Sequence, residues 1–210
     1  ISGENDQLRE TAGGAPRNLR EYYESTWGPT VLADYDVRFI IEVGAVAGSS
    51  DQTEYAIETG LWPELTTPIL IINYSYLLGT GGAGGFATFA GDQGGSALLL
   101  EDDIRLNNIG TIASGGGGGG GGTGGAISGG GGGGAGFTLG LGNGSARDGT
   151  YTNGGLGDVR LGGGNGGDLA DSGNNGSGSN GGLTGDHAIN QNGFVITYIN
   201  TGTILGTITP

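Results

Sequence analysis

The sequence predicts a mostly β and irregular fold, in which a small β core of three units clamps a sandwich-like bundle of extended glycine segments. Three observations lead to this prediction. Glycine supplies 54 of the 210 residues, and most of these glycines lie between Gly79 and His187. Eight of them are consecutive, at 115–122. Segments rich in β-forming residues flank the glycine-rich region on both sides, and they share a short motif.

Composition divides the chain into four parts. Residues 1–35 are polar and predict an N-terminal attachment or linker segment, in which the stretch APRNLREYYES can form one or two helical turns. Residues 36–78 are rich in β-formers and predict β anchor units. Residues 79–187 predict a glycine-rich domain that contains a further β unit at 98–114, and residues 188–210 predict the β unit that closes the chain.

The β segments carry a repeated motif. INYSYLLGT and INTGTILGT match at Ile, Asn, Leu, Gly and Thr, and NIGTI, which lies between them, shares the Asn turn. Asn and Gly at these positions suit a turn that needs a positive φ. Because repeats too short to bury their own apolar faces stack on one another, we expect Asn73, Asn108 and Asn200 to occupy equivalent places in three stacked units.

The glycine-rich region could be a flexible linker or an ordered bundle. Tracts of glycine and serine usually form linkers, but this one is poor in serine, is interrupted by apolar residues, and lies between matched β segments. Polyglycine II is an extended helix with three residues per turn, like polyproline II, whose N–H groups point outward to neighbouring segments. Ordering a residue costs about 1–2 kcal/mol and a hydrogen bond contributes about 1 kcal/mol. We therefore expect order only where the β units clamp the ends.

Loops are predicted where the glycine runs are interrupted. They fall at 86–93, 136–153, 156–161 and 167–180, and we expect them to gather at the end of the molecule that lies away from residue 1. A rigid scaffold that displays clustered loops is a common design for recognition.

Composition and motifs argue against several functions. A net charge of −14, with no lysine, argues against a nucleic-acid partner. The absence of cysteine excludes disulfides and thiolate metal sites. Neither a nucleophile elbow nor a phosphate-binding loop is present. We predict that the chain is not an enzyme and has no catalytic residue, cofactor or metal. His187, the single histidine, then has a structural polar role, and the acidic run Glu101, Asp102 and Asp103 forms a solvated turn.

The order of these motifs resembles that of the glycine-rich receptor-binding tips of tailed-phage fibres. The pieces that carry the resemblance are VGAVAGSS, TGLWPELTTPILIINYSYLLGTGGAGG, NNIGTIASGGGGGGGG and the closing FVITYINTGTILGTI, of which INTGTILG is the most specific. The resemblance covers about Arg17 to Thr209. The family includes detachable adhesins of T-even-like long tail fibres and the C-terminal tips of some central tail-fibre proteins, and APRNLREYYES looks like the segment that precedes such a tip.

The resemblance implies a non-enzymatic adhesin at the tip of a phage tail fibre, extracellular on the virion. It implies a host outer-surface protein or glycan as the receptor. It also implies other tail-fibre or tail-tip proteins as partners, with the chain either a homotrimer or a single copy on a trimer. The predicted loops would face the receptor, and aromatic residues and arginine anchor most interfaces. The candidate receptor-binding residues are Phe86, Phe89, Phe137, Leu139, Arg147, Tyr151, Val159, Arg160, Leu169 and Asn174.

Two other functions are open at this point. A structural or ice-binding surface protein could be built from polyglycine segments, although threonine does not recur at the fixed step that a flat ice-binding face needs. A secreted calcium-binding β-roll is suggested by GGLGDVRL and GGNGGDLA, which approximate the calcium nonapeptide with the wrong spacing. Circular dichroism with and without a calcium chelator distinguishes a β-roll from a polyglycine bundle, because only the β-roll would lose its structure when calcium is removed.

Overall fold

The computed structural model describes residues 17–30, 33–124 and 127–210. Within these ranges, regular structure consists of one α-helix, α1 (Leu19–Trp27), one 3-10 helix (Val159–Leu161) and fifteen short strands. The strands are β1 (Arg17–Asn18), β2 (Arg38–Ile41), β3 (Val46–Gly48), β4 (Ile57–Glu58), β5 (Ile69–Asn73), β6 (Tyr76–Leu78), β7 (Leu98–Leu99), β8 (Ile104–Asn108), β9 (Thr111–Ala113), β10 (Gly122–Gly124), β11 (Ile127–Gly129), β12 (Ile189–Asn190), β13 (Ile196–Asn200), β14 (Thr203–Leu205) and β15 (Ile208–Thr209).

All strands except β10 and β11 belong to three parallel sheets. The first sheet contains β1, β4, β7, β12 and β15, the second β2, β5, β8 and β13, and the third β3, β6, β9 and β14. The chain visits the second, third and first sheets in a fixed rotation, and each strand pairs with its counterpart one circuit later. The core is therefore a three-faced parallel β-solenoid of four coils, in agreement with the mostly β fold that the sequence predicts.

Alternation along the strands fills the inside of the solenoid with apolar side chains. In β5 and β8, Ile69, Ile71, Ile104 and Leu106 point inward and are buried, whereas Arg105 between them is only partly buried. Strand residues two apart share a face of the sheet, so stacking of equivalent strands aligns these side chains into continuous apolar columns. The short β6 and β9 contribute Leu77 and Ile112 to the same core in the same way, and this burial is the main source of the stability of the solenoid.

A ladder of asparagines closes one corner of the solenoid. Asn73 and Asn108 lie opposite each other in β5 and β8, and both are fully buried. The Nδ2 of Asn73 donates to the Oδ1 of Asn108 at 2.8 Å. The Nδ2 of Asn108 donates in turn to the carbonyl oxygens of Thr201 at 2.7 Å and Thr203 at 3.1 Å. Each buried amide thus satisfies polar groups of the next coil, and the expected equivalence of Asn73 and Asn108 is confirmed.

Asn200 occupies the related place in the fourth coil with a local shift. An irregularity in β13 sets Asn200 beside Asn107, but the register recovers at once, because Thr203 in β14 pairs with Thr111 in β9. The first coil lacks the motif altogether, since Ile41 is the residue opposite Asn73. The repeat therefore marks three coils of a solenoid that has four.

Helix α1 packs on the first coil. The Oδ1 of Asn18 caps the helix by accepting hydrogen bonds from the backbone N–H groups of Arg20 and Glu21, at 3.1 and 3.2 Å. Tyr23 is buried and contacts Trp62 edge-on, with ring centroids 5.5 Å apart. The short helix expected near the N-terminus is present and longer than one or two turns, because its apolar face joins the core.

The sequence predicts a solvated turn for the acidic run, but the structure shows that its carboxylates bind backbone groups of other coils. The Oε2 of Glu101 accepts a hydrogen bond from the backbone N–H of Gly60 at 3.1 Å. The Oδ2 of Asp102 accepts from the N–H of Trp62 at 2.7 Å, and the Oδ1 of Asp103 accepts from the N–H of Val195 at 2.8 Å. The three carboxylates join the second coil to its neighbours on both sides, a long-range role that a local charge pattern does not reveal.

Glycine-rich segments leave and re-enter the solenoid at one corner, between the third and first sheets. The first excursion lies between β6 and β7, and the second lies between β9 and β12. Backbone hydrogen bonds divide the two excursions into ten extended segments, which we call rods I to X. In chain order, rods I to X comprise residues 79–85, 89–95, 115–121, 130–136, 139–143, 146–150, 153–157, 163–168, 171–176 and 178–185.

The hydrogen bonds of rod III repeat every three residues. The N–H groups of Gly115, Gly118 and Gly121 donate to rod II. The N–H groups of the residues that immediately follow Gly115 and Gly118 donate to rod IV, and the N–H groups of the next residues along the chain donate to rod IX. The carbonyl groups accept with the same period from rods I, VIII and X. Rod III is therefore surrounded by six rods, each bonded at every third residue, which is a geometry that only side-chain-free backbones can reach.

Rod IV has six bonded neighbours as well, namely rods I, III, V, VI, VII and VIII. The bonds among all ten segments fit a hexagonal arrangement in three layers: rods I, II and V, rods III, IV, VI and X, and rods VII, VIII and IX. The interior of this bundle consists of backbone. Side chains other than the occasional alanine lie on its outside and at the ends of the rods.

A small second apolar cluster connects the bundle to the solenoid. Leu78 and Ala113 on the outer face of the third sheet are fully buried against Ala135 of rod IV and against Leu169. Phe137 packs on the same cluster. These contacts fix the bundle to the corner from which it emerges.

Candidate functional site

Reversals of the rods define two ends of the bundle. Rods I, III, V, VII and IX run away from the solenoid, and rods II, IV, VI, VIII and X return to it. The outer reversals lie far from the solenoid corner, and we call them together the distal end. The distal end consists of residues 86–88, 122–124, 127–129, 144–145, 158–162 and 177.

Hydrogen bonds join the distal reversals to one another. Phe86 forms an antiparallel bridge with Gly130, and the backbone N–H of Asp158 donates to the carbonyl of Gly130 at 2.9 Å. The hydroxyl of Ser177 accepts a hydrogen bond from the N–H of Thr123 at 2.9 Å. The N–H of Ser177 donates to the carbonyl of Gly162 at 2.7 Å. These bonds connect four of the five reversals, and the fifth, at 144–145, lies beside the Phe86 ring.

Four of the sequence-predicted residues lie at or beside this surface. Phe86 and Phe89 flank the reversal between rods I and II, and Phe89 is 72% exposed. Its carbonyl accepts a hydrogen bond from the hydroxyl of Ser179 at 2.6 Å, which secures the reversal. Arg160 lies in the 3-10 helix, and Arg147 is the second residue of rod VI, which follows the reversal at 144–145. Both arginines are exposed.

The other predicted apolar residues lie at the opposite end, and this corrects the expectation that all four loops gather together. Phe137 and Leu139 flank an inner reversal, where Phe137 packs on the solenoid cluster. Tyr151 lies in the inner reversal between rods VI and VII, and Leu169 lies in the one between rods VIII and IX. Leu169 is only 8% exposed. The physical reason is that each long predicted loop contains a complete outward or return rod, so its residues are divided between the two ends.

Two predicted residues fall in neither group. Asn174 is exposed on the outer face of rod IX, midway along the bundle. The backbone of Val159 belongs to the 3-10 helix at the distal end, but its side chain lies outside what the structure describes.

Two parts of the distal end were not expected from the sequence. The first is the hairpin of β10 and β11, whose antiparallel pairing extends rods III and IV outward. The second is the pair Ser177 and Ser179, which hold the hairpin and the Phe89 reversal. Two serines in a glycine-rich context resemble a linker, so composition alone would not reveal them. The glycine runs are interrupted at regular intervals, and successive reversals lie at opposite ends of the bundle. This alternation is the signal that could have revealed the hairpin.

Charge distinguishes the distal arginines from the others. Arg20 pairs with Glu24 and Glu64, and Arg38 and Arg105 both pair with Asp36. Across the described ranges, Arg147 and Arg160 form no ion pair. In a chain with 21 acidic residues, two unpaired guanidinium groups near one end leave that end locally less negative than the rest of the surface.

His187 is held by structural contacts and does not group with acidic side chains of the described residues into a metal site. The ring of His187 stacks on Tyr55 with an interplanar angle of 5°, and its Nδ1 lies 2.8 Å from the hydroxyl of Thr209. Within the described part of the chain, no three histidine or carboxylate side chains are grouped so that they could hold a metal ion. Asp168, from one of the calcium-like motifs, instead accepts a hydrogen bond from the N–H of Gly154 at 2.8 Å.

A polar cleft of about 280 Å³ lies at the base of the bundle, beside the first coil. Tyr55, Gln93, Ser96 and Asp186 are among its lining residues. The amide of Gln93 donates to Asp186 at 2.8 Å, so the groups that face the cleft bond to each other. The described residues also include no helix that is long and apolar enough to cross a membrane.

Comparisons with known proteins agree with this architecture. The chain matches the phage tail fibre adhesin Gp38 family over residues 8–209. It is also similar to a solved structure, the gp37-gp38 adhesin tip complex of the bacteriophage S16 long tail fiber, with 26% sequence identity and a TM-score of 0.67. That match covers 97% of this chain and 82% of the other. No curated protein gives a significant match. Because the family match extends over nearly the whole sequence, the chain belongs to the phage tail fibre adhesin Gp38 family.

Proposed function

We propose that this chain forms the tip of a phage tail fibre and binds a host surface protein or glycan through its distal end. The observation that carries the proposal is the distal end itself. Five reversals, four of them joined by hydrogen bonds, present Phe86, Phe89 and Arg160 at the far end of a bundle whose other end is packed on the solenoid. Membership in a family of tail fibre adhesins supports a location on the virion and a role in attachment.

The exposed side chains suit a recognition surface. Phe86 is 40% exposed and Phe89 is 72% exposed, and large apolar side chains that remain in water at a loop are available to fill a pocket on a partner. Aromatic residues and arginine supply most of the binding energy at protein interfaces. The rods beneath them are fixed by hydrogen bonds at every third residue, so the entropy lost when the loops bind is small.

The experiment compares two ends of the same bundle. We expect the double variant Phe86→Ala, Phe89→Ala to lose about 2 kcal/mol or more of binding energy, roughly a thirtyfold drop in affinity. The matched control is Leu139→Ala, Tyr151→Ala, which removes two exposed apolar side chains at the base. The readout is the ability of each purified chain to compete with phage for adsorption to host cells.

The result that overturns the proposal is equally specific. If both double variants melt at the temperature of the parent and the distal one still competes fully, these phenylalanines do not contact the receptor. If the base variant alone loses competition, the recognition surface lies at the inner reversals. The variant Arg147→Gln, Arg160→Gln tests the charged part of the surface separately.

We further propose that the rods adopt the polyglycine-II conformation. The three-residue hydrogen-bond period of rods III and IV supports it, because a helix with three residues per turn directs every third N–H to the same neighbour. Vibrational circular dichroism of the intact chain, compared with that of a variant lacking rods III to X, tests for the band of an extended threefold helix. A spectrum of unordered backbone would contradict the assignment.

We also propose that the chain assembles with another tail-fibre protein and has no catalytic activity. The solved relative is described as a gp37-gp38 complex, which supports a fibre partner, and its family is one of adhesins. Co-expression with the fibre protein encoded by the same phage, followed by mass determination of the complex, tests the partnership. The same mass distinguishes a single copy on a fibre from a homotrimer.

A further inference from the structure

Asn–Gly pairs occur six times in this chain, at Asn143, Asn153, Asn165, Asn175, Asn180 and Asn192. Such pairs can lose ammonia spontaneously, because glycine has no side chain to shield its backbone nitrogen. The nitrogen of the glycine bonds to the Cγ of the asparagine, and the Cγ–Nδ2 bond breaks. Ammonia leaves with the proton from the glycine nitrogen. Water then opens the cyclic imide at either carbonyl, which gives aspartate or isoaspartate.

The structure separates the six pairs by the state of the glycine N–H. Four of these N–H groups already donate a hydrogen bond. Gly154 donates to the Oδ1 of Asp168 at 2.8 Å, and Gly181 donates to the Oδ1 of Asn175 at 3.0 Å. Gly166 and Gly176 donate to the carbonyls of Gly155 and Ser179, both at 2.9 Å. In these pairs the hydrogen bond of the glycine N–H must break before its nitrogen can attack the Cγ.

The remaining two pairs lack this restraint. The N–H groups of Gly144 and Gly193 have no hydrogen-bond acceptor among the described residues. Both asparagines that precede them, Asn143 and Asn192, are exposed. Their side chains also lack hydrogen bonds to described residues, so they are free to rotate toward the backbone.

The side chains of three protected asparagines are held in addition. The Oδ1 of Asn165 accepts from the N–H of Gly157 at 3.0 Å, and that of Asn175 accepts from Gly181. The Oδ1 of Asn153 accepts from the hydroxyl of Thr152 at 3.0 Å. Exposure does not explain the division, since Asn153, Asn175 and Asn180 are exposed as well.

We propose that Asn143 and Asn192 are the sites of spontaneous deamidation, whereas the other four Asn–Gly pairs are protected by the hydrogen bonds of the bundle. Asn143 borders a distal reversal, next to the Phe86 ring that faces Gly144. Conversion there adds a negative charge to the end of the molecule that has unpaired arginines. Isoaspartate also lengthens the backbone by one atom at the point where the N–H of Asn143 bonds to rod IV.

The test is incubation of the purified chain at mildly alkaline pH, followed by peptide mass spectrometry and detection of isoaspartate. We expect the first-order rates at Asn143 and Asn192 to exceed those at Asn153, Asn165, Asn175 and Asn180 by about tenfold or more. A tenfold ratio corresponds to roughly 1.4 kcal/mol, the order of one hydrogen bond that must break before the glycine nitrogen can attack.

A variant inside the same chain provides the matched control. Asp168→Ala removes the acceptor of the Gly154 N–H and should increase deamidation at Asn153 while leaving the rate at Asn143 unchanged. Asn143→Gln should abolish modification in its peptide without affecting Asn192. Equal rates at all six pairs in the folded chain would overturn the proposal, as would an Asn153 rate that does not respond to Asp168→Ala in a variant that melts like the parent.

Discussion

At the scale of single residues, the glycines of the central rods are determined by what lies beside their Cα atoms. A Cβ atom at Gly118 would lie 1.9 Å from the carbonyl oxygen of Ala83, and one at Gly131 would lie 2.0 Å from that of Gly119. These neighbours are backbone atoms bound in hydrogen bonds to other rods, so they cannot move individually. The glycine content therefore follows from hexagonal contact between backbones, whereas a flexible linker would tolerate other residues.

The variant Gly118→Val tests this requirement. The side chain would separate rod III from rod I and break hydrogen bonds on both sides, and each buried group left unpaired costs about 1–3 kcal/mol. We expect a large fall in melting temperature, or failure to fold. The control is Asn174→Val, at an exposed site of rod IX that already has a Cβ. Equal melting of parent and Gly118→Val would show that the run is a linker.

The asparagine ladder allows a second comparison at this scale. Asn108→Ala removes the acceptor of the Asn73 amide and the donor to the carbonyls of Thr201 and Thr203. We expect it to reduce the free energy of unfolding by about 2–4 kcal/mol, since more than one buried polar group loses its partner. Asn200→Ala changes the related residue in the exposed last coil and should cost well under half as much. Denaturant unfolding of the two variants measures the difference.

At the scale of elements, two carboxylates near α1, those of Glu58 and Glu64, have opposite pKa shifts. Burial raises the pKa of Glu58, and the nearby carboxylates of Glu101 and Glu54 raise it further. The hydrogen bond from Arg20 lowers the pKa of Glu64. An acid with a raised pKa is less stable when ionised in the folded state than in the unfolded state, whereas the opposite holds for an acid with a lowered pKa.

The two carboxylates should therefore respond in opposite ways to removal of their charge. At neutral pH, we expect Glu58→Gln to melt at a higher temperature than the parent and Glu64→Gln to melt at a lower one. The Glu58 difference should shrink as the pH falls through its raised pKa, whereas the Glu64 difference should persist to lower pH and vanish only below its lowered pKa, where the carboxyl group is protonated in both states. Thermal melts across pH provide the measurement. A Glu58→Gln variant that is less stable at neutral pH would contradict the assignment.

The rods make a prediction about hydrogen exchange. Each N–H from Gly115 to Gly121 donates to a neighbouring rod, so we expect these amides to exchange only when the bundle opens. The N–H groups of Gly144 and Gly193 have no described acceptor and should exchange rapidly in the same sample. Exchange of Gly115–Gly121 at the unprotected rate, measured by NMR, would show that the rods do not persist in solution.

The sequence predicted some elements well and others poorly, for physical reasons. The Asn motif revealed the stacking of coils, because a buried amide needs the same partners in each coil. It did not reveal the first coil, where Ile41 stands opposite Asn73. The loops were located, but the side chains were assigned to one end, since no local signal tells an outer reversal from an inner one. Phe89 and Leu169 look alike in sequence, yet one is exposed at the distal end and the other is buried at the base.

At the scale of the whole molecule, the bundle is an insertion into a regular solenoid. The fourth coil shows the uninterrupted path, because only Gly206 and Thr207 join β14 to β15. The second coil continues from β6 with the same dipeptide, Gly79 and Thr80, but there the chain enters rod I. The match between LLGT and ILGT thus marks the point at which one coil turns directly and another extends into the bundle.

Excision of the rods tests this organisation. We expect a chain in which Thr80 is joined to Leu98, and Gly-Thr replaces residues 114–188, to fold into a four-coil solenoid, because the second and third coils then turn as the fourth coil does. Leu78→Thr should accompany the excision, since the bundle covers this side chain. We expect a cooperative melt with parallel β circular dichroism and no competition for adsorption to host cells. A chain that stays unfolded would show that the solenoid needs the bundle for stability, and one that folds and still competes would place receptor binding on the solenoid.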